Sequence, residues 1–198
     1  NEKNLVHPVG SAERREGAGG PVEARSHPPT DERRQTRREA RRRDRPAIEF
    51  LLDAHPEYVR KLTLLQIASP TRETVEKYRE YAARVTEEAE RINKRFGING
   101  WKPIVLEKKN YSHDELIHLY QFADVCLITS LHDGMNLVAK EYVAARRDES
   151  GVLILSQFAG ASRDLKGALI INPYSAEETS AAVHTALSMP KAEQHSRM

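Results

Sequence analysis

Cysteine is almost absent from this sequence. The 198 residues contain one, Cys126. A single thiol cannot form a disulfide within the chain and cannot build a cysteine-rich zinc site. Cys126 lies in the apolar run "DVCLITS", where a small buried hydrophobe is its simplest role. Long hydrophobic runs are missing as well. No stretch approaches the roughly 20 apolar residues of a membrane helix, and the first residues lack the apolar core of a secretory signal. A reducing, cytoplasmic setting with no membrane partner fits these absences. The chain also lacks a strong net charge, which is +2. That small excess is unevenly placed: residues 1–45 hold 12 Lys and Arg against 8 Asp and Glu, and the remainder holds 19 against 21. The basic character belongs to the first segment.

Residues 1–45 also contain very few large apolar side chains. "GSAERREGAGGPVEARSHPPTDERRQTRREARRRDRP" consists of Gly, Pro and charge, and such a segment cannot bury enough surface to offset its ordering entropy. It is expected to form a disordered, Arg-rich tail. No aromatic residue is interleaved with its arginines to stack on bases, so nucleic acid is not the expected partner.

From Pro46 onward the pattern changes. "PAIEFLLDAHPEY" predicts a short amphipathic helix with Pro46 in its first turn. "PTRETVEKYREYAARVTEEAERINKRFG" predicts a long charged helix, with apolar or small positions every three or four residues and Gly97 as a stop. "SHDELIHLYQFA" and "SAEETSAAVHTAL" both open with Ser-x-x-Glu, the spacing of a capping box. Between the helices lie five continuous apolar runs, "KLTLLQIAS", "KPIVLEK", "DVCLITS", "GVLILSQ" and "GALIIN". Continuous apolar strands alternating with helices predict an α/β fold: a Rossmann-like parallel sheet with helices on both faces. The expected division is a tail at 1–45, one domain at 46–190 and a C-terminal tail at 191–198. Nothing in the pattern sets an oligomeric state, and a homo-oligomer is compatible with it.

Ligands of such folds bind outside the C-terminal ends of the strands, and "HDGMNLVAKEYVAAR", residues 132–146, follows a strand there. Gly134 permits a tight turn and close approach of a ligand to the backbone. Met135, Asn136, Leu137 and Val138 supply the free N–H groups of a helix's first turn, which with the helix dipole make an anion site. Asp133 would repel a phosphate but suits sugar hydroxyls. Glu141 lies one turn beyond Leu137 and Val138 and can accept the hydroxyls of a ribose. The stretch thus has parts for a hexose, a diphosphate and a ribose. Plainer roles exist for the same residues: Asp133 as a helix cap, and Glu141 paired at the surface with Lys140 or an arginine.

The run "DGMNLVAKEYVAAR", with "ADVCLITSLH" before it and "GVLILSQFAGAS" after it, resembles the donor-binding half of the trehalose-6-phosphate synthase family. "LLQIASPTRETVEKYRE" and "ALIINPYSAEETSAAVHTALSMP" extend the resemblance in the same order, over about residues 46–190. It implies the C-terminal, nucleotide-sugar domain of a GT-B glycosyltransferase. The implied reaction is transfer of glucose from UDP-glucose, or ADP- or GDP-glucose in some members, to glucose 6-phosphate with retention at the anomeric carbon. No cofactor and no metal are implied. By the resemblance, Asp133 is the catalytic-site residue on the transferred glucose. The amides of Gly134, Met135 and Asn136 face the sugar, and those of Leu137 and Val138 face the diphosphate. Glu141 holds the ribose, and the base lies near Tyr111.

Three departures accompany the likeness. The family's acceptor domain is not in this sequence. Its "R-x-D-Y-x-K-G" segment, which supplies a basic clamp on the diphosphate, has no match in residues 25–45. His132 stands where trehalose synthases usually have Arg. The expectation is an N-terminally truncated donor half, with a foreign tail and little turnover alone, whose sugar-phosphate acceptor would bind through the missing domain. A glucosylglycerol-phosphate synthase, using ADP-glucose and glycerol 3-phosphate, and a non-catalytic nucleotide-sugar-binding remnant are the alternatives. His118 and His184 read as surface or packing residues.

Overall fold

The computed structural model describes residues 3–8, 46–68 and 76–198. Six strands form one sheet: β1 (Lys3–Pro8), β2 (Leu62–Ile67), β3 (Ile104–Glu107), β4 (Val125–Ile128), β5 (Val152–Ser156) and β6 (Leu169–Ile171). Their spatial order is β3-β2-β1-β4-β5-β6, and every pairing is parallel. The helices are α1 (Ala47–Ala54), α2 (Glu76–Phe96), α3 (His113–Phe122), α4 (Leu137–Ala145), α5 (Ala176–Ser188) and α6 (Lys191–Arg197), with 3-10 turns at Pro56–Tyr58 and Gly160–Arg163.

Strand alternation sorts the core into two layers. Leu5, Leu62, Leu64, Val125 and Leu127 face α1, α2 and α5, and pack with Leu51, Leu52, Ile92 and Val183. Val6, Ile67, Cys126 and Ile128 face α3 and α4, and pack with Tyr120, Ala139 and Tyr142. The helices therefore cover both faces, as the apolar runs predict. Cys126 is fully buried, and burial pushes its thiol pKa up. No helix among the described residues is long and apolar enough to cross a membrane.

The expected boundaries shift at both ends. Lys3–Pro8, assigned to the tail from sequence, form β1, which lies between β2 and β4 along all six of its residues on one side. Leu5 and Val6 each enter one core layer. Asp124, just before β4, accepts from Lys3 Nζ (3.1 Å) and from the Asn4 amide (2.9 Å), and so fixes the strand's register. Six residues beside a sheet bury enough to be held, although the charged stretch after them does not share that pattern. The rest of the expected tail, 9–45, lies outside the described residues. At the other end, Lys191–Arg197 form α6 rather than a tail, and Gln194 Oε1 accepts from the Gly151 amide at 3.0 Å.

The helix starts follow local chemistry. Ser112 and Glu115 complete a capping box: Ser112 Oγ accepts from the Glu115 amide (3.3 Å), and Glu115 Oε2 accepts from the Ser112 amide (2.7 Å). At α5 only half of the box forms. Ser175 Oγ accepts from the Glu178 amide (3.1 Å), while Glu178 Oε1 takes the Asn172 amide (2.9 Å) and ties the helix to the end of β6. In α2 the predicted apolar stripe is buried at Ala89 and Ile92, whereas Ala82 is exposed. The start of the predicted long helix, residues 70–75, lies outside the described residues.

Candidate functional site

The strand order reverses direction between β1 and β4, which opens a crevice at their C-terminal ends. The chain leaving β4 at Ile128 runs through residues 129–136 into α4, so the Asp-Gly-Met-Asn sequence sits at that crevice. The loop after β3, which carries Tyr111, opens on the same edge.

Asp133 organises the loop. Its Oδ1 accepts from the amides of Met135 (3.0 Å) and Asn136 (2.9 Å), and its Oδ2 accepts from Asn136 Nδ2 (2.9 Å). Asn136, not Asp133, is the N-cap of α4. It adopts the left-handed conformation (φ 69°), and its Oδ1 accepts from the Ala139 amide at 3.0 Å. Asparagine tolerates that conformation better than most residues. Asn136 is 8% exposed, so its side chain is spent inside the loop.

A second loop braces the first. The chain leaving β5 pairs with it through a parallel bridge between Asp133 and Ala159. The Asp133 amide donates to the Phe158 carbonyl (3.3 Å), the Gly160 amide to the Asp133 carbonyl (2.9 Å), and the Ala161 amide to the Met135 carbonyl (2.8 Å). Gly160 is required there, because a Cβ would strike the Gly134 carbonyl. Gly134 differs: a Cβ there would meet nothing within 4 Å, and its φ is not left-handed. It borders open space rather than a strained turn.

The expected amide donors divide accordingly. Those of Met135 and Asn136 are engaged by Asp133. The amides of Gly134, Leu137 and Val138 have no acceptor among the described residues, so three donors remain at the positive end of α4. Glu141 lies one turn further along α4. It is half-buried and has no hydrogen-bond or cationic partner among the described residues. Lys140, the neighbour that could have neutralised it, pairs with Asp164 instead (3.0 Å). A partly buried carboxylate left without a donor suits a ligand's hydroxyls. Tyr111 packs against the α3 and α4 core layer with Lys109 Nζ 4.2 Å from its ring centre. His132 is exposed.

Sequence reasoning missed the Asn136 cap and the brace from the β5 loop. A signal existed for the brace, since "FAGAS" is rich in small residues, but its contact with residues 133–135 is long-range. It also missed His7. Its Nε2 lies 2.7 Å from Thr129 Oγ1 at the crevice, and burial lowers its pKa to about 4, so the ring is neutral near pH 7.

This strand order, with a helix that starts on unengaged amides at the reversal point, defines a doubly wound α/β domain. The chain belongs to glycosyltransferase family 20, whose model matches residues 44–198. It is 48% identical over 143 residues to a UDP-forming alpha,alpha-trehalose-phosphate synthase of Aspergillus niger, a match that covers 72% of this chain and 30% of that protein. A Burkholderia xenovorans synthase in complex with glucose-6-phosphate superposes with a TM-score of 0.79 at 34% identity, covering 99% of this chain and 38% of the other. An E. coli structure bound with UDP-2-fluoro glucose superposes with a TM-score of 0.78 at 36% identity, covering 100% and 39%. The fold is thus one Rossmann-like half of the GT-B arrangement. The chain spans about a third of the length of these relatives.

Proposed function

We propose that this chain is the donor-binding part of a retaining glucosyltransferase that moves glucose from UDP-glucose to glucose 6-phosphate and so forms trehalose 6-phosphate. The observation that carries the reading is the pairing of unengaged amides at Leu137 and Val138 with the unpartnered carboxylate of Glu141, one turn apart on α4. In this reading the diphosphate lies on the helix start, the ribose hydroxyls donate to Glu141, and the base lies beside Tyr111. Asp133 already accepts three hydrogen bonds. A carboxylate has about four acceptor sites, which leaves room for a hexose hydroxyl directed by a rigid loop. Amides aimed at the departing diphosphate stabilise charge where it develops, with no metal in the step.

The UDP-forming relatives support UDP-glucose over ADP-glucose as donor, and with it a trehalose product over a glucosylglycerol one. The acceptor site is proposed to lie on a second domain facing the crevice, and the cytoplasm is the proposed compartment. Calorimetric titration of the full chain with UDP-glucose, UDP, ADP-glucose and GDP-glucose tests the donor site. UDP-glucose is expected to bind and to raise the melting temperature, because it binds only the folded form. Heat and melting curves unchanged by every nucleotide sugar would remove the proposal.

A further inference from the structure

On the far side of the domain from the crevice, two imidazoles are stacked. His55 follows the last residue of α1 and His184 lies in the second half of α5. α1 ends where the chain turns back to start β2, and Leu62 pairs with Lys3, the first residue of β1. The pair therefore sits at the sheet's N-terminal edge, opposite the candidate donor site. The rings are 3.7 Å apart between centres and 9° from parallel. Glu57 joins them: its Oε1 is 3.1 Å from His55 Nδ1. One ligating atom from each of His55, Glu57 and His184 lies within 4.8 Å of the other two. Tyr58 closes the group, with its hydroxyl 2.9 Å from His184 Nδ1.

We propose that His55, Glu57 and His184 form a binding site for a divalent transition metal of the zinc class, with water completing the shell. Two imidazoles and one carboxylate are a ligand set zinc uses. Ligands at about 2.0–2.2 Å from a tetrahedral ion stand about 3.4 Å apart, close to the His55–Glu57 separation. In the site, the ion replaces the proton shared by His55 and Glu57. With its Nδ1–H donating to the Tyr58 oxygen, His184 keeps Nε2 for the metal, and such a partner fixes the tautomer of a ligating histidine. The stacked rings must splay to converge on one ion. Both histidines are partly exposed and sit beside solvent, so rotation is open to them. The His-Pro-Glu-Tyr turn is short and α5 is far away in sequence, so a bound ion links the end of α1 to α5. The consequence is a clip between two helices of one core layer, independent of nucleotide-sugar binding.

The test is calorimetric titration of the full chain with zinc chloride, alongside the visible spectrum of the cobalt-loaded protein. One ion per chain is expected, with a tetrahedral cobalt band and a raised melting temperature. Glu57→Gln and His184→Gln should abolish the band. Tyr58→Phe should retain it but weaken binding about tenfold, the usual effect of removing a histidine's outer partner. His195→Gln disrupts the second histidine–carboxylate pair among the described residues, His195 with Glu149, and should change nothing. Melting curves in chelator confirm that each variant is folded. Absence of saturable binding, or binding lost in His195→Gln and kept in His184→Gln, would overturn the proposal.

Discussion

Asp133 and Asn136 hold one another at the mouth of α4. One carboxylate oxygen of Asp133 takes the Asn136 amide at 2.9 Å, and the other takes its side-chain amide, also at 2.9 Å. The acid thus has a structural task in addition to the one proposed on the hexose, and the two tasks can be separated. Asp133→Asn keeps an oxygen for the Met135 and Asn136 amides and loses the negative charge. Its new amide group faces the Asn136 Nδ2 donor, so a modest fall in melting temperature is expected, while the affinity advantage of UDP-glucose over UDP disappears altogether. If Asp133→Asn binds both ligands as the parent does, Asp133 is a loop brace only.

Glu141 makes the opposite prediction. With no partner to lose, Glu141→Ala should leave thermal stability unchanged or slightly higher. UDP affinity should fall by about 1–3 kcal/mol, the scale of charge-assisted hydrogen bonds. A melting curve measures the first and titration with UDP the second. A variant that binds UDP normally would remove the ribose role.

Gly160 links the two loops of the site without touching a proposed ligand. Gly160→Ala places a methyl group against the Gly134 carbonyl. Separating the loops should cost about 2 kcal/mol in stability, typical of forced overpacking. Donor affinity should fall with it, because Asp133 and Met135 lose their backbone partners. Urea unfolding and donor titration of the same variant read both effects.

Arg146 is 7% exposed and joins the ends of two helices that flank the site. Its guanidinium donates to the carbonyls of Tyr120 (3.2 Å), Gln121 and Ala123 (3.0 Å) at the end of α3, and its Nε to that of Ser150 (2.9 Å). Arg146→Met removes a donor from each of those carbonyls, leaving Tyr120 and Ala123 only the longer bonds from the Ala123 amide and the Tyr142 hydroxyl, and should destabilise the fold by about 3 kcal/mol in urea unfolding. A loss below about 1 kcal/mol would mean that water replaces the guanidinium.

His7 predicts a pH dependence. Its pKa is lowered to about 4 in the folded chain, against about 6.5 unfolded. Between these values the unfolded chain binds more protons, so the contribution is complete above pH 6.5 and is lost as pH falls toward 4. The full shift corresponds to about 3 kcal/mol. His7 keeps part of its surface, so about 1–2 kcal/mol is expected. Stability measured from pH 7 to 4 should decline less in His7→Gln; equal slopes would contradict the burial of this ring.

Five of the six strands and the starts of α3 and α5 are legible because their causes are local: continuous apolar runs and Ser-x-x-Glu spacing. β1 is not legible. "KNLVHP" is short, borders a charged segment, and becomes a strand only when Asp124 and β2 receive it. The amides of Leu137 and Val138 and the carboxylate of Glu141 are found where the periodicity puts them. The capture of the Met135 and Asn136 amides by Asp133 depends on the loop's three-dimensional path, and the brace from Phe158–Ala161 depends on a strand pairing. The stacking of His55 on His184 joins residues that no window of sequence contains together.

The seating of β1 has a consequence for anyone who would shorten this protein. Because its neighbours are β2 and β4, deleting the first eight residues would leave a two-stranded piece and a three-stranded piece, each with a raw hydrogen-bonding margin where the middle had been. Such margins invite other chains to add themselves. A trimmed version beginning at the first helix should therefore be prone to self-association, even though it keeps nearly all of the motif by which the family is recognised.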